Sequence, residues 1–471
     1  MMNSKKRTKS RVEGKLGKTG QNKRSAAADR SVLKWVDENI ESSDSDDEHG
    51  APSGMDATAE SDDDGDNGDE TAEQRRKRLA KEYLENMQCR NDVDSSDGED
   101  EEEYGTLSER LRHERLEAQG KYYRNIAESV GSMSDAGDSA IKMSATGHKQ
   151  SVTCVALASD DATIYSGSKD NSLLSWDTET GQKKAVIRPR WNRTTHGSQQ
   201  AWDGEILCTA STTDGKYVVC GGRDKAVRIH DTRLKNAEIK CFQGHRDVVT
   251  SLAFRRDSYS LFSASMDRCL KHWDLNEMGY LETMFGHQDY VNAIDCWTQD
   301  KPISASNDRT LRIWKVSDES HLVLRGHKGS IDAVSIMTEN SFLSGGQDGN
   351  LCLWKDTQKK PVASVIAAHG TEATGVPRWI VSSASVKMSD LAATGSHDGY
   401  LRLWNAQVST ESKTMRQVSQ IPISGFVNAL AMSTKLIVAG TGQEHRLGRW
   451  WHIKGSLNRI VVWKLPDPVS N

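Results

Sequence analysis

The chain has 471 residues, 62 Lys and Arg against 67 Asp and Glu, and a formal net charge of −5, enough length for one large domain or two to three ordinary ones. The charge is segregated: residues 1–142 hold 23 basic and 34 acidic side chains, a net of −11, while residues 143–471 hold 39 and 33, a net of +6. No apolar run is long enough to span a membrane, the basic start lacks the apolar core of a secretory signal, and the eight cysteines include no Cys-x-x-Cys pair, so the expectation is an intracellular, reduced chain with no membrane partner and no zinc.

Residues 1–36 carry eleven Lys and Arg against Glu13 and Asp29, and residues 37–70 carry fifteen Asp and Glu with no Lys or Arg. Such a segment buries too little apolar surface to offset chain entropy and is expected to be a disordered basic-then-acidic arm over 1–70. The basic run reads as a nuclear-import or nucleic-acid patch, or as a solvated tail. Ser43, Ser45, Ser61 and Ser96 each have an acid three residues on, a pattern acid-directed kinases favour.

Residues 71–138 are expected to hold two short helices with an acidic linker. The first, 71–87, opens on Thr71 and Gln74, a capping-box pair, with Leu79, Tyr83 and Met87 on one face. The second, 106–130, opens on Thr106 and Glu109. Neither apolar stripe is wide enough to fold alone, so each either docks on the body or a partner or remains transient.

The body repeats one theme: GSKDNSLLSWD, GGRDKAVRIHD, SASMDRCLKHWD, SASNDRTLRIWK, GGQDGNLCLWK and GSHDGYLRLWN. In each, an Asp precedes an aromatic by six residues: Asp170 and Trp176, Asp224 and His230, Asp267 and Trp273, Asp308 and Trp314, Asp348 and Trp354, Asp398 and Trp404. A Gly-His pair stands upstream of four of them, at His148, His245, His287 and His327, with His-to-Asp spacings of 21 or 22. A seventh unit ends at Trp463 with Leu457 in place of Asp; the second has Trp202 for His and His230 for Trp; the sixth has His369 29 residues from Asp398.

This pattern resembles the WD-repeat family. The resemblance implies an all-β, seven-bladed WD-repeat β-propeller over 139–471, in which His, a strand Ser or Thr, Asp and Trp form a hydrogen-bonded tetrad. The tetrads would comprise His148, Asp170 and Trp176; His245, Asp267 and Trp273; His287, Asp308 and Trp314; and His327, Asp348 and Trp354. A buried indole and a buried imidazole each need a partner, and one network satisfies both. The second, sixth and seventh units are expected to be irregular. The strand-like AIKMSAT, 140–146, is expected to complete the seventh blade and remove a free edge.

Three stretches go further: GQEHRLGRWWHIKGSLNRIVVWK (442–464), ETAEQRRKRLAKEYLENM (70–87) and SERLRHERLEAQGKYYRNIAE (108–128). Together they resemble the WD-repeat proteins of the U3 small nucleolar ribonucleoprotein. That resemblance implies a nucleolar protein binding the box B/C region of U3 small nucleolar RNA alongside other U3 particle and small-subunit processome proteins, in support of early pre-rRNA cleavage.

Local chemistry points to two basic, aromatic segments. Residues 442–464 gather His445, Arg446, Arg449, Lys454 and Arg459 around Trp450 and Trp451, and 183–197 gather Lys183, Lys184, Arg188, Arg190 and Arg193 around Trp191 without an acid. Cations hold phosphates and aromatics stack on unpaired bases, so RNA contact is expected from Arg188, Arg190, Arg193, His445, Arg446, Arg449, Trp450 and Lys454. The alternative is that Trp450 and Trp451 are blade core. No catalytic residue, cofactor, metal or small-molecule substrate is expected. A protein-only adaptor, such as a ubiquitin-ligase substrate receptor or chromatin reader, is the competing function.

Overall fold

The computed structural model describes residues 121–131, 141–142, 147–187, 204–234, 237–408 and 413–466, together with Arg78, Arg112, Arg115 and Leu116. Nearly all belong to the second of two units, Asp97–Asn471. The expected disordered arm, all of the first expected helix but Arg78, and the 188–203 linker lie outside the described residues, as do 106–111, 113–114 and 117–120 of the second expected helix.

The described strands form seven antiparallel four-stranded sheets. Six are continuous in sequence: 152–187, 206–243, 249–285, 291–325, 331–365 and 382–422. The seventh takes three strands from 426–464 and its outermost from Ile141–Lys142, where Ile141 pairs with Val462 and Lys142 with Val461. The innermost strand of each blade meets that of the next, and Phe426–Met432 of blade seven meets Val152–Leu157 of blade one, closing the ring. This is a seven-bladed β-propeller closed by its N-terminal strand.

Burial explains the strand chemistry. Middle strands are packed on both faces and read as continuous buried runs: Ser341–Gly346 is buried throughout, whereas the outermost strand Lys183–Ile187 is largely exposed. Small residues stand where blades crowd. A Cβ on Gly345 would meet Ile380 Cγ2 at 2.5 Å, and one on Gly395 would meet Val427 Cγ1 at 2.5 Å.

Side-chain networks staple the blades. In blade four, Trp314 Nε1 donates to Ser304 Oγ at 2.8 Å, Ser304 bonds His287 Nε2 at 2.7 Å, and His287 Nδ1 meets Asp308 at 2.9 Å. With Nδ1–H donating to the carboxylate, Nε2 accepts from the serine hydroxyl, so one network satisfies the indole, the hydroxyl and both ring nitrogens. Blade three repeats this through His245, Asp267, Ser263 and Trp273, and blade five through His327, Asp348, Ser344 and Trp354. In blade one Ser172 stands between His148 and Asp170, leaving those two 3.7 Å apart, while His148 and Trp176 share Ser166.

Blade six departs from the sequence expectation. Despite the 29-residue spacing, His369 meets Asp398 at 2.9 Å and Thr394 at 2.8 Å, and Trp404 donates to Thr394 at 2.8 Å. The extra residues loop out around Thr371–Pro377, leaving the network undisturbed. Blade two has no such network among the described residues: Asp224 pairs with Arg228, and His230 faces Cys220. In blade seven Trp463 is buried with no hydrogen-bond partner for Nε1 among the described residues, and Leu457 is exposed.

The second expected helix ends early. Arg112, Arg115 and Leu116 are helical, but Lys121 N bonds Leu116 O at 2.8 Å, a helix-terminating pattern, and 121–131 forms a strap across blades six and seven. Ile126, Ala127 and Val130 are fully buried there, in one cluster with Leu401, Val427 and Trp463. Asp390 Oδ1 accepts the backbone N–H of Ile126 at 2.8 Å and of Ala127 at 3.1 Å. The carboxylate and the burial outcompete continuation of the helix.

Candidate nucleic-acid interface

The insertion 443–458 joins the last two strands of blade seven. Gln443 zips its base: Gln443 N donates to Asn458 Oδ1 at 3.0 Å, Gln443 Nε2 to Ser456 O at 2.8 Å, and Ile453 N to Gln443 O at 2.9 Å. Its side chains then divide into an inward and an outward set.

Inward, Arg446 Nη2 donates to Asn292 O at 2.7 Å, on the innermost strand of blade four. Its charge also acts on Asp332 of blade five, Cys208 of blade two and Cys154 of blade one. The guanidinium therefore sits on the ring axis among the innermost strands. Those strands are linked by side chains donating to the next blade's carbonyl: Thr250 to Val291 O at 2.6 Å, Asn292 to Ile331 O at 3.0 Å, Ser382 to Val427 O at 2.7 Å and Asn428 to Val152 O at 2.9 Å. Asp332 at the matching place in blade five serves as an acceptor rather than a donor, taking hydrogen bonds from Asn292 and Ser330. Burial pushes its pKa up, with Arg446 pulling the other way.

His445 is also inward, buried against Trp379, Phe426 and Trp450 at ring separations of 5.9, 6.1 and 6.0 Å. Burial, reinforced by the charges of Arg446 and Lys169, lowers its pKa to about 3, so it is neutral at physiological pH. Leu447 N donates to its Nδ1 at 3.3 Å. Trp451 is half-buried on His397 at 4.4 Å and Phe426 at 5.6 Å. Trp379, His397 and Phe426 come from blades six and seven.

Outward, Trp450 is 68% exposed, and Arg449 and Lys454 are exposed. Arg449 reaches Glu205 at 2.8 Å, and Arg223 bonds the same carboxylate at 2.7 Å. Lys169, buried below, ties the loop to blade one through Glu444 at 3.2 Å and Gly448 O at 2.7 Å. An exposed indole on a rigid base, rimmed by cations, can stack on an unpaired base while the cations hold its phosphates. Of the second segment, Lys183 and Lys184 stand on the outermost strand of blade one, Lys184 paired with Asp177 at 2.8 Å. Arg188, Arg190 and Arg193 lie outside the described residues.

The WD domain, G-beta repeat family matches residues 141–177, 193–231, 236–274, 279–315 and 319–355. These matches stop before blade six and the insertion. The chain is 36% identical to human U3 small nucleolar RNA-interacting protein 2, covering 84% of this chain and 82% of that protein. It is 30% identical to the Arabidopsis thaliana U3 snoRNP-associated protein-like EMB2271, covering 84% and 86%. The solved structure described as "Structure of U3-55K" superposes with a TM-score of 0.64 at 38% identity, covering 69% of this chain and 98% of that one.

Proposed function

The chain belongs to the family of WD-repeat proteins that includes U3 small nucleolar RNA-interacting protein 2, and on that premise we propose that it is an RNA-binding scaffold subunit of the U3 small nucleolar ribonucleoprotein. It acts in assembly of the small-subunit processome and in early pre-rRNA processing, in the nucleolus, and contacts the box B/C region of the RNA beside other particle proteins. The observation that carries this reading is Trp450, 68% exposed on a loop locked to the ring axis and flanked by Arg449 and Lys454.

The role is scaffolding rather than catalysis. His148, His245, His287, His327 and His369 are committed to structural networks, and His445 is buried and neutral. In the RNA contact, Trp450 supplies the stacking face and Arg449 and Lys454 the phosphate contacts. Arg446 and His445 hold the loop from beneath. Sequencing the RNA that co-purifies with the tagged full-length chain tests the reading. Strong enrichment of U3 RNA, lost on Trp450→Ala, is expected. Co-purification with proteins alone would instead make the chain a protein-only adaptor.

A further inference from the structure

Three neighbouring blades place a long cation at the same turn position. The residue after the turn aspartate is left-handed around the ring. Blades five and six place Gly349 (φ 67°) and Gly399 (φ 88°) there, and blade one places Asn171 (φ 61°), residues that tolerate this region. Blades two, three and four place Lys225 (φ 62°), Arg268 (φ 69°) and Arg309 (φ 64°). A long side chain gains nothing over glycine in this conformation, which Met278, Glu319 and Met388 also adopt at turns elsewhere; what sets these three positions apart is that each carries a cation.

All three cations are exposed, and none forms an ion pair within the described residues. They share the face of the insertion. Arg449 and Arg223 grip Glu205 together, Arg223 stands two residues before Lys225, and Lys225 Nζ donates to Arg246 O at 2.9 Å. Arg246 N in turn bonds Asp267 at 3.0 Å, beside Arg268. At the far end the backbone carbonyl of Tyr290, whose ring is exposed, accepts from Asn307 N at 2.9 Å, two residues before Arg309. Beyond it, the blade-five turn is covered: a Cβ on Gly349 would meet Pro377 Cβ at 2.6 Å. The acids of this rim, Asp247 and Asp289, accept from the backbone of their own loops at 2.9 and 2.8 Å.

We infer that Lys225, Arg268 and Arg309 form a phosphate track, along which the sugar–phosphate backbone of the RNA stacked at Trp450 crosses blades two to four. The inference rests on the function proposed above and extends it to a surface outside the insertion. Guanidinium groups hold phosphate through paired N–H donors, and Lys225 adds a point charge.

The test replaces all three residues with glycine in the full chain, as K225G, R268G and R309G, and measures binding of a U3 RNA transcript against salt. Glycine suits the left-handed turn, so the melting temperature should hold or rise. Affinity should fall on the order of tenfold or more, and the slope of log K against log salt should become shallower by roughly two units or more. Lys359→Ala with Lys360→Ala, on a turn between the outer strands of blade five, should leave the slope unchanged. If the glycine triple keeps its affinity and slope while Trp450→Ala loses binding, the track is wrong and the proposed function stands. If the lysine control flattens the slope equally, the attraction is general charge and the track is overturned. If the unmodified chain binds no U3 RNA, both fail.

Discussion

Arg446 Nη2 donates to the carbonyl oxygen of Asn292 across 2.7 Å, so the blade-seven insertion is hydrogen-bonded to the innermost strand of blade four. The exposed platform is thereby fixed to the propeller axis rather than to its own blade alone.

Arg446→Ala should therefore act on stability. Removing the guanidinium leaves Asp332 buried without its counter-charge, and a loss of about 2–4 kcal/mol is expected in denaturant unfolding. Asp332→Asn in the same chain should recover part of it. Arg449→Ala removes an exposed guanidinium from buried Glu205, which keeps Arg223 at 2.7 Å; it should change stability by less than about 1 kcal/mol and weaken RNA binding with a shallower salt dependence. Equal stability losses in the two variants would refute the axial role of Arg446.

Trp450 and Trp451 are adjacent but should separate experimentally. Trp450→Ala removes an exposed ring: stability should stay within about 0.5 kcal/mol, and RNA affinity should fall by roughly 1–3 kcal/mol with little change in salt slope. Trp451→Ala opens the packing against His397 and Phe426 and should lower the melting temperature. A Trp450→Ala protein that melts early and keeps RNA affinity when folded would assign the ring to the core.

The strap sets the minimal folded unit. Ile126 and Val130 are each worth roughly 1.5–3 kcal/mol of buried apolar side chain, and Asp390 loses two N–H partners without them. A chain of 118–471 should melt well above 139–471, and 147–471, which also lacks Ile141–Lys142, should melt lower still. Coincident melting of the first two would show that the strap contributes no stability.

Acid should loosen the blades in two stages. Burial holds the His287 pKa below its ordinary value and His445 at about 3. The unfolded chain binds these protons first, so stability should fall as pH drops below about 6.5. The turn aspartates follow. Burial raises Asp170, but the neighbouring His148 and the hydrogen bonds from Ser172 and the Lys149 N–H outweigh this and bring it to about 2. That contribution is present above the unfolded value near 3.9 and is lost as pH falls toward about 2. His445→Phe should flatten the denaturation midpoint between pH 6.5 and 4. An unchanged pH profile would discount His445 as a source of acid sensitivity.

Much of the ring was legible because a blade's constraints are local. The six-residue step from Asp308 to Trp314 and the 21-residue step from His287 span one blade, so strand periodicity carries them, and the strand-like stretch before Gly147 announced the closing strand. Blade six shows where spacing misleads: a sequence count measures contour length, whereas His369 and Asp398 meet through space once the insertion loops out. The platform was only half legible. Composition located 442–464, but nothing in RLGRWW distinguishes Arg446 on the axis from Arg449 on the rim, or half-buried Trp451 from exposed Trp450. Those assignments depend on which direction a side chain faces when seven blades close around it. Ring closure is long-range: it joins Phe426–Met432 to Val152–Leu157 and sets Arg446 against Asn292, so only the tertiary structure decides them.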